Sequence, residues 1–178
     1  MATKKLSVKG MVYASLFGAL TAVGAFIIIP LPLVPITAQT FFLNTAAILL
    51  GGPLAAASQF IYVLLGIVGI PVFAGGKAGI GVLFGPTGGY LLGYIVAAFV
   101  TGSIAGAKKS AGIFWYIFAM FIGMIIIYCV GSVQLALVAK LSFSKTIAVG
   151  ILPFIPGDII KILLAAIISL RLKKRIRI

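Results

Sequence analysis

Acidic side chains are almost missing from this sequence: across 178 residues Asp and Glu together number 1, and histidine numbers 0. That shortage excludes the paired carboxylates of general acid and base catalysis, and any proton relay built on histidine. The single cysteine, Cys129, rules out a disulfide framework and a thiolate metal cluster. It lies in the middle of an apolar run and reads as a packed small hydrophobe. No G-x-x-x-x-G-K-[ST] loop is present to cradle ATP phosphates. These gaps argue against an enzyme and against a resident cofactor or metal.

What the sequence has in excess is apolar side chains. They make up 63% of the chain, with 8% charged, whereas soluble domains run at about 45 to 50% apolar and about 25% charged. Fifteen charged residues cannot coat a water-soluble surface when eight of the fourteen bases sit in the two tails. The solvent is therefore lipid, and the fold class is an all-α membrane protein. A net charge of +13 invites a nucleic-acid partner, but the bases flank apolar runs and do not interleave with aromatics. The accumulation of Lys and Arg on the cytoplasmic side of spans explains the same residues better. The N-terminal stretch resembles the basic region and apolar core of a signal peptide, yet the apolar run reaches Ile29 without a polar break, which makes it a retained first span.

A spanning helix needs about 20 apolar residues. Charges, prolines and glycine clusters mark six segments, at about 11–29, 37–52, 54–70, 87–106, 113–139 and 147–170, forming one integral membrane domain over 1–178. Only Gly51, Gly52 and Pro53 separate the second and third segments, so these two are antiparallel neighbours. The second is short enough to be tilted or partly irregular. An even count puts both termini on one side. Lys4, Lys5, Lys9, Lys108, Lys109, Arg171, Lys173, Lys174, Arg175 and Arg177 fall on that side, against Lys77, Lys140 and Lys145 opposite. The bias places both termini in the cytoplasm.

Two outer loops depart from minimal connectors. Residues 30–36 carry three prolines and read as a stiff extended segment. Residues 71–89 carry seven glycines and few polar groups. Such a loop suits a lid folded closely over a ligand, or equally a re-entrant or interfacial segment. Small residues recur every four positions, at Gly89 and Gly93, at Ala98, Gly102 and Gly106, and in the first span at Ala14, Gly18 and Ala22 beside Ser15 and Ala19. These spacings allow close helix approach in lipid.

Asp158 is the only acidic side chain, and Lys161 follows three residues later, on the same face of a helix. An ionisable residue within a membrane segment is a functional-site hypothesis by default, and a self-neutralising structural ion pair is its competitor. Pro153, Pro156 and Gly157 break the sixth segment just ahead of the pair. Asp158 then falls in the first turn of a new helix, where free N–H groups and the positive dipole end favour an anion. Broken membrane helices that aim a new N-terminus at a solute are a transporter device. Gln39 and Tyr90 begin spans beside the two outer loops, level with Asp158. Asn44, Gln59 and Gln134 read as interhelical hydrogen-bond partners, and Tyr62 as an interface or packing aromatic.

Four blocks, VPITAQTF at 34–41, GIPVFAGG at 69–76, LFGPTGGYLLG at 83–93 and FIPGDIIK at 154–161, resemble the BioY family, the biotin-specific S components of energy-coupling-factor transporters. The blocks stand in order and cover nearly the whole chain. The resemblance implies six membrane helices that hold biotin near the outer side. It also implies association with a transmembrane T component and two cytoplasmic ATPases, which would use the ATP this chain has no loop to bind. It implies that Asp158 accepts ureido N–H groups and that Lys161 neutralises the site or reaches the ligand. The opposite orientation, with the ligand carboxylate at the helix N-terminus and Lys161, stays open. Gln39, Tyr90, Gly75 and Gly76 complete the expected substrate contacts. The family's Ala-x-x-x-Ala contact for the T component has its counterpart here in Ser15 and Ala19, a departure at the first position. Two readings compete: a self-sufficient secondary carrier with Asp158 as its proton site, and a purely structural membrane subunit.

Overall fold

The computed structural model describes residues 7–108 and 110–173, and seven α-helices run through them. The chain enters α1 (Val8–Phe26) at Ser7, whose hydroxyl accepts the Gly10 N–H at 3.0 Å, satisfying one of the orphan donors of a first turn. A two-residue strand, β1 (Ile28–Ile29), then pairs antiparallel with β2 (Ile36–Thr37). The proline stretch therefore forms a small hairpin, not simply an extended run. Its prolines lie in the connection, where a missing N–H costs no ladder bond.

Next come α2 (Gln39–Leu50) and α3 (Gly52–Ile67), joined at Gly51 with φ of 81°. That left-handed angle turns the chain sharply enough to lay the two helices together. The second segment proves regular along its 12 residues, about 18 Å at 1.5 Å per residue. The hairpin continues it toward the nearer surface. A 3₁₀ turn (Ile80–Phe84) interrupts the loop before α4 (Gly88–Gly106), and α5 (Ile113–Ala139) follows. The sixth segment is two helices, α6 (Phe143–Gly150) and α7 (Ile155–Lys173), bent by 47° across residues 151–154. The break stands where Pro153, Pro156 and Gly157 place it.

By length and composition α1, α4 and α5 are long enough to cross a membrane, as is the bent pair α6 and α7 taken as one span; α2 and α3 are shorter apolar helices. Large apolar side chains cover the outside, with Phe114 84%, Phe143 83% and Leu137 75% exposed. This is the surface of a multi-pass protein that faces acyl chains. Cys129 belongs to that surface and is exposed, which corrects the expectation that it is packed. A thiol is apolar enough to face lipid without a partner.

Inside, helices approach through missing side chains. A Cβ on Gly102 would lie 2.5 Å from the Gly52 nitrogen, and one on Gly52 would lie 2.7 Å from the Phe99 carbonyl oxygen. The two stripes of α1 separate cleanly: Ala14, Gly18 and Ala22 are buried, while Ser15 and Ala19 are exposed.

The bases segregate by end. Lys173 lies 5.0 Å from the Tyr116 ring and Lys108 lies 5.7 Å from that of Trp115, both near the start of α5. Arg171 in the last turn of α7 and Lys9 in the first turn of α1 share this end. Lys77, Lys140 and Lys145 belong to the other end, with the hairpin and the glycine-rich loop. Lys4, Lys5, Lys109, Lys174, Arg175 and Arg177 lie outside the described residues.

Candidate functional site

At the hairpin end a cavity is walled by β2 and the start of α2, by α4, α5 and α7, and is roofed by the glycine-rich loop. Asp158, Lys161, Gln39 and Tyr90 all line it. The sequence separates Gln39 from Lys161 by more than a hundred residues, and the fold brings them to one chamber.

Asp158 stands in the first turn of α7, the end of the helix dipole that favours an anion. Its own N–H donates to the Phe154 carbonyl at 2.8 Å, so that donor is not among the free ones of the turn. Asp158 is 5% exposed, and its carboxylate is well supplied with donors. Lys161 Nζ lies 2.5 Å from Oδ1, the Thr40 hydroxyl donates to Oδ1 at 3.2 Å, and the Tyr128 hydroxyl donates to Oδ2. A carboxylate offers about four acceptor positions, which leaves about one open. Lys161 also donates to the Thr37 carbonyl at 2.9 Å, and of its three donors about one remains. The pair is at once a structural tie from α7 to α2 and the hairpin, and a source of one acceptor and one donor on the cavity wall.

A second polar chain runs beside it. The Thr37 hydroxyl donates to Gln39 Oε1 at 2.8 Å, Gln39 Nε2 donates to the Tyr62 hydroxyl, and Tyr62 donates to the Val72 carbonyl at 3.3 Å. Tyr62 is thus a buried link between α2, α3 and the loop, which extends its reading as a packing aromatic. Tyr90 donates to the Gly150 carbonyl at 2.8 Å, satisfying an acceptor freed where α6 ends. Its ring then forms wall, packed tightly on Gly131.

The roof is a packed structure. The Phe73 ring is inserted against Gly66, where any Cβ would collide with it, and it meets Tyr62 edge to face at 5.7 Å. Gly75 and Gly76, with φ of 75° and 71°, make the turn that returns Lys77 to bridge Phe73. These two glycines do not line the cavity; the turn they make presents Phe73, Ala74 and Lys77 to it. Gln134 reaches from α5 to donate to the Leu83 and Gly85 carbonyls at 2.6 and 2.9 Å, so its bonds go to the loop and not to a neighbouring spanning helix. Gln59 does bond between helices, donating to Thr21 at 3.2 Å. The Asn44 amide nitrogen has no partner.

Sequence reasoning missed Thr37, Thr40, Tyr94 and Tyr128 as cavity residues. A signal existed for Tyr94, four positions after Tyr90 on one helix face, and for the threonines flanking Gln39. Tyr128 had none, being one hydroxyl within an apolar run. No group of three metal-ligating side chains occurs among the described residues.

An all-helical, lipid-coated bundle with one roofed chamber that joins aromatic walls to a few fixed polar groups is the build of a membrane protein that holds a small solute. Comparison with known proteins narrows that class. The model of the BioY family matches residues 1–178. The chain is 46% identical over 164 residues to the biotin transporter BioY of Thermotoga maritima, covering 92% of this chain and 95% of that one. It is 36% identical over 175 residues to the biotin transporter BioY of Rhizobium etli, with 92% of each covered. A crystal structure of the S-component for biotin from an ECF-type ABC transporter superposes with a TM-score of 0.87 at 28% identity, covering 98% of this chain and 95% of that one. The chain belongs to the BioY family. These relatives are transport proteins and not enzymes.

Proposed function

We propose that this chain captures biotin from outside the cell and delivers it as the substrate-binding subunit of an energy-coupling-factor transporter. The observation that carries the proposal is the buried Asp158, ion-paired with the partly buried Lys161 and facing an aromatic chamber under the glycine-rich roof, in a chain similar over 92% of its length to a biotin transporter. Biotin suits such a chamber: its fused rings and chain are apolar, its ureido group has two N–H donors and a carbonyl, and its tail is a carboxylate. Asp158 accepts a ureido N–H, Lys161 donates a hydrogen bond to the ligand through its remaining N–H, and Gln39 and Tyr90 shape the wall. Gly75 and Gly76 act by setting the roof.

In this reading the chain is one membrane domain of six spans with both termini cytoplasmic. The segregation of Lys9, Lys108, Arg171 and Lys173 from Lys77, Lys140 and Lys145 supports it. The energy comes from a T component and two ATPases, approached through the exposed Ser15 and Ala19 face of α1. Equilibrium binding of labelled biotin to the purified protein is the direct test. Saturable binding of one biotin per chain, displaced by unlabelled biotin, is the expected result, and its absence would overturn the proposal. Uptake that persists without the ATPases and collapses with a protonophore would shift the assignment to a secondary carrier.

A further inference from the structure

We infer that Lys77 is the residue that recognises the carboxylate of the substrate, and that it fixes which way round the ligand lies. The inference rests on the proposed biotin-binding function and goes beyond it, because the sequence leaves the ligand's orientation open. Three charged side chains line the cavity: Asp158, Lys161 and Lys77. Asp158 and Lys161 neutralise each other, and Lys161 spends a further donor on the Thr37 carbonyl. Lys77 has no such compensation, since Asp158 is the only acidic side chain in the sequence. The chamber therefore carries one unbalanced positive charge, and it sits on the roof, on a different element from the ion pair of α7.

The backbone holds Lys77 there for a reason. Gly75 and Gly76 take up left-handed angles, and the Phe73 N–H donates to the Lys77 carbonyl at 3.0 Å. The buried Phe73 ring anchors this turn to α3 at Gly66. Lys77 is exposed and also lines the cavity, and a flexible ammonium so placed on a fixed turn attracts an anion first and then pairs with it. The ligand then enters with its neutral ureido rings toward Asp158, Gln39 and Lys161, and its carboxylate stays beside Lys77 near solvent. The opposite orientation would set a carboxylate beside a pair that is already neutralised, and would leave Lys77 unpaired. Lys77 is in this sense a specificity residue: it separates acids from their neutral esters and amides.

The test measures affinities of purified protein for biotin and for biotin methyl ester, in the wild type and in the variants Lys77→Met, Lys77→Arg and Lys161→Met. A charge-assisted bond partly open to water corresponds to about tenfold in affinity. Wild type should prefer biotin over the ester by about that factor. Lys77→Met should lose the preference by weakening biotin alone, and Lys77→Arg should keep it. The side chain makes no contribution to the Phe73 bridge, so thermal unfolding of Lys77→Met should match wild type. A wild-type preference retained in Lys77→Met, an equal loss for both ligands, no wild-type preference, or loss of preference only in Lys161→Met would each overturn the inference while leaving biotin binding in place. Failure of the wild type to bind either ligand would instead overturn the proposed function, and this inference with it.

Discussion

Glycine lets backbones approach at both ends of this bundle, at Gly102 and again at Gly89 beside the Val130 carbonyl, and the two ends differ in what is added. At the end bearing Gly52, Ser103 and the first turn of α1, backbones meet because side chains are absent, as where Gly102 faces Gly52. At the cavity end the backbone is broken, and side chains close it. Tyr90 serves the carbonyl freed at Gly150, Gln134 serves those of Leu83 and Gly85, Lys161 serves that of Thr37, and Tyr62 serves that of Val72. Unpaired backbone groups are intolerable in lipid, so irregular chain survives there only where protein satisfies it. Two of these side chains, Tyr90 and Lys161, are also walls of the site. Close packing holds one end, and the other adds to it bonds that couple its integrity to its chemistry.

The sharpest way to break that comparison is to remove one charge from the pair that does both tasks. Lys161→Met orphans the carboxylate of a residue that is 5% exposed, and breaking a buried pair this way costs about 3 to 5 kcal/mol. Thermal unfolding should show the loss, and the double variant Asp158→Asn with Lys161→Met should recover most of it. Biotin affinity should not recover, because the double variant still lacks a charge-assisted acceptor, a deficit of about one to two decades. Near-wild-type affinity in the double variant would reduce the pair to a structural tie.

Next in size is a matched pair of substitutions, one at each end. Gly102→Ala drives a methyl into the Gly52 backbone, an overpacking of about 1 to 3 kcal/mol, and should lower the unfolding midpoint without changing the affinity of the folded protein. Gln134→Leu removes both donors to the roof at similar volume and should cost about 1 to 3 kcal/mol by orphaning the Leu83 carbonyl, while the Gly85 carbonyl keeps the Gly88 N–H. Here the affinity should fall as well, because the released segment carries Val82 and Thr87 of the cavity wall. Equal ratios of affinity loss to stability loss in the two variants would erase the distinction between the ends.

How far the sequence discloses this architecture follows the same division. Long apolar runs announce α1, α4 and α5, and α5 runs over the expected 113–139, because lipid leaves an apolar segment few alternatives to a helix. The break before Asp158 is legible from proline and glycine. The hairpin is not, since two residues per strand give no alternation to detect. The choice between a lid and an interfacial loop at 71–89 also could not be read, because it depends on Phe73 finding Gly66 and on Gln134 finding two carbonyls, all long-range matches. For the same reason Gln39 and Tyr90 were legible as candidates by their position beside loops, and they line the cavity, while Thr40 and Tyr128 become visible only once α2, α5 and α7 converge on one carboxylate.

The smallest expected effect on the isolated protein lies on the outer face of α1, which belongs to neither mode of packing. Ala14, Gly18 and Ala22 face inward, and a Cβ on Gly18 would already lie 2.9 Å from the Ser58 carbonyl oxygen. Ser15 and Ala19 point away from the bundle and sit among the exposed Val12, Leu16 and Val23. Enlarging an exposed residue away from caps and polar contacts moves stability by about 0.5 kcal/mol or less. Ser15→Leu and Ala19→Leu should therefore leave thermal unfolding and biotin affinity of the purified protein at wild-type values, whereas Gly18→Leu should unfold it. Small residues nevertheless have a use on a lipid-facing helix, where they let a second helix approach closely. If the T component docks on this face, both leucine variants should lower ATP-driven biotin uptake in vesicles that contain the partner subunits. Uptake at the wild-type rate would remove the face from the partner contact. Reduced affinity in the isolated variants would instead assign Ser15 and Ala19 to the internal packing of the cavity end.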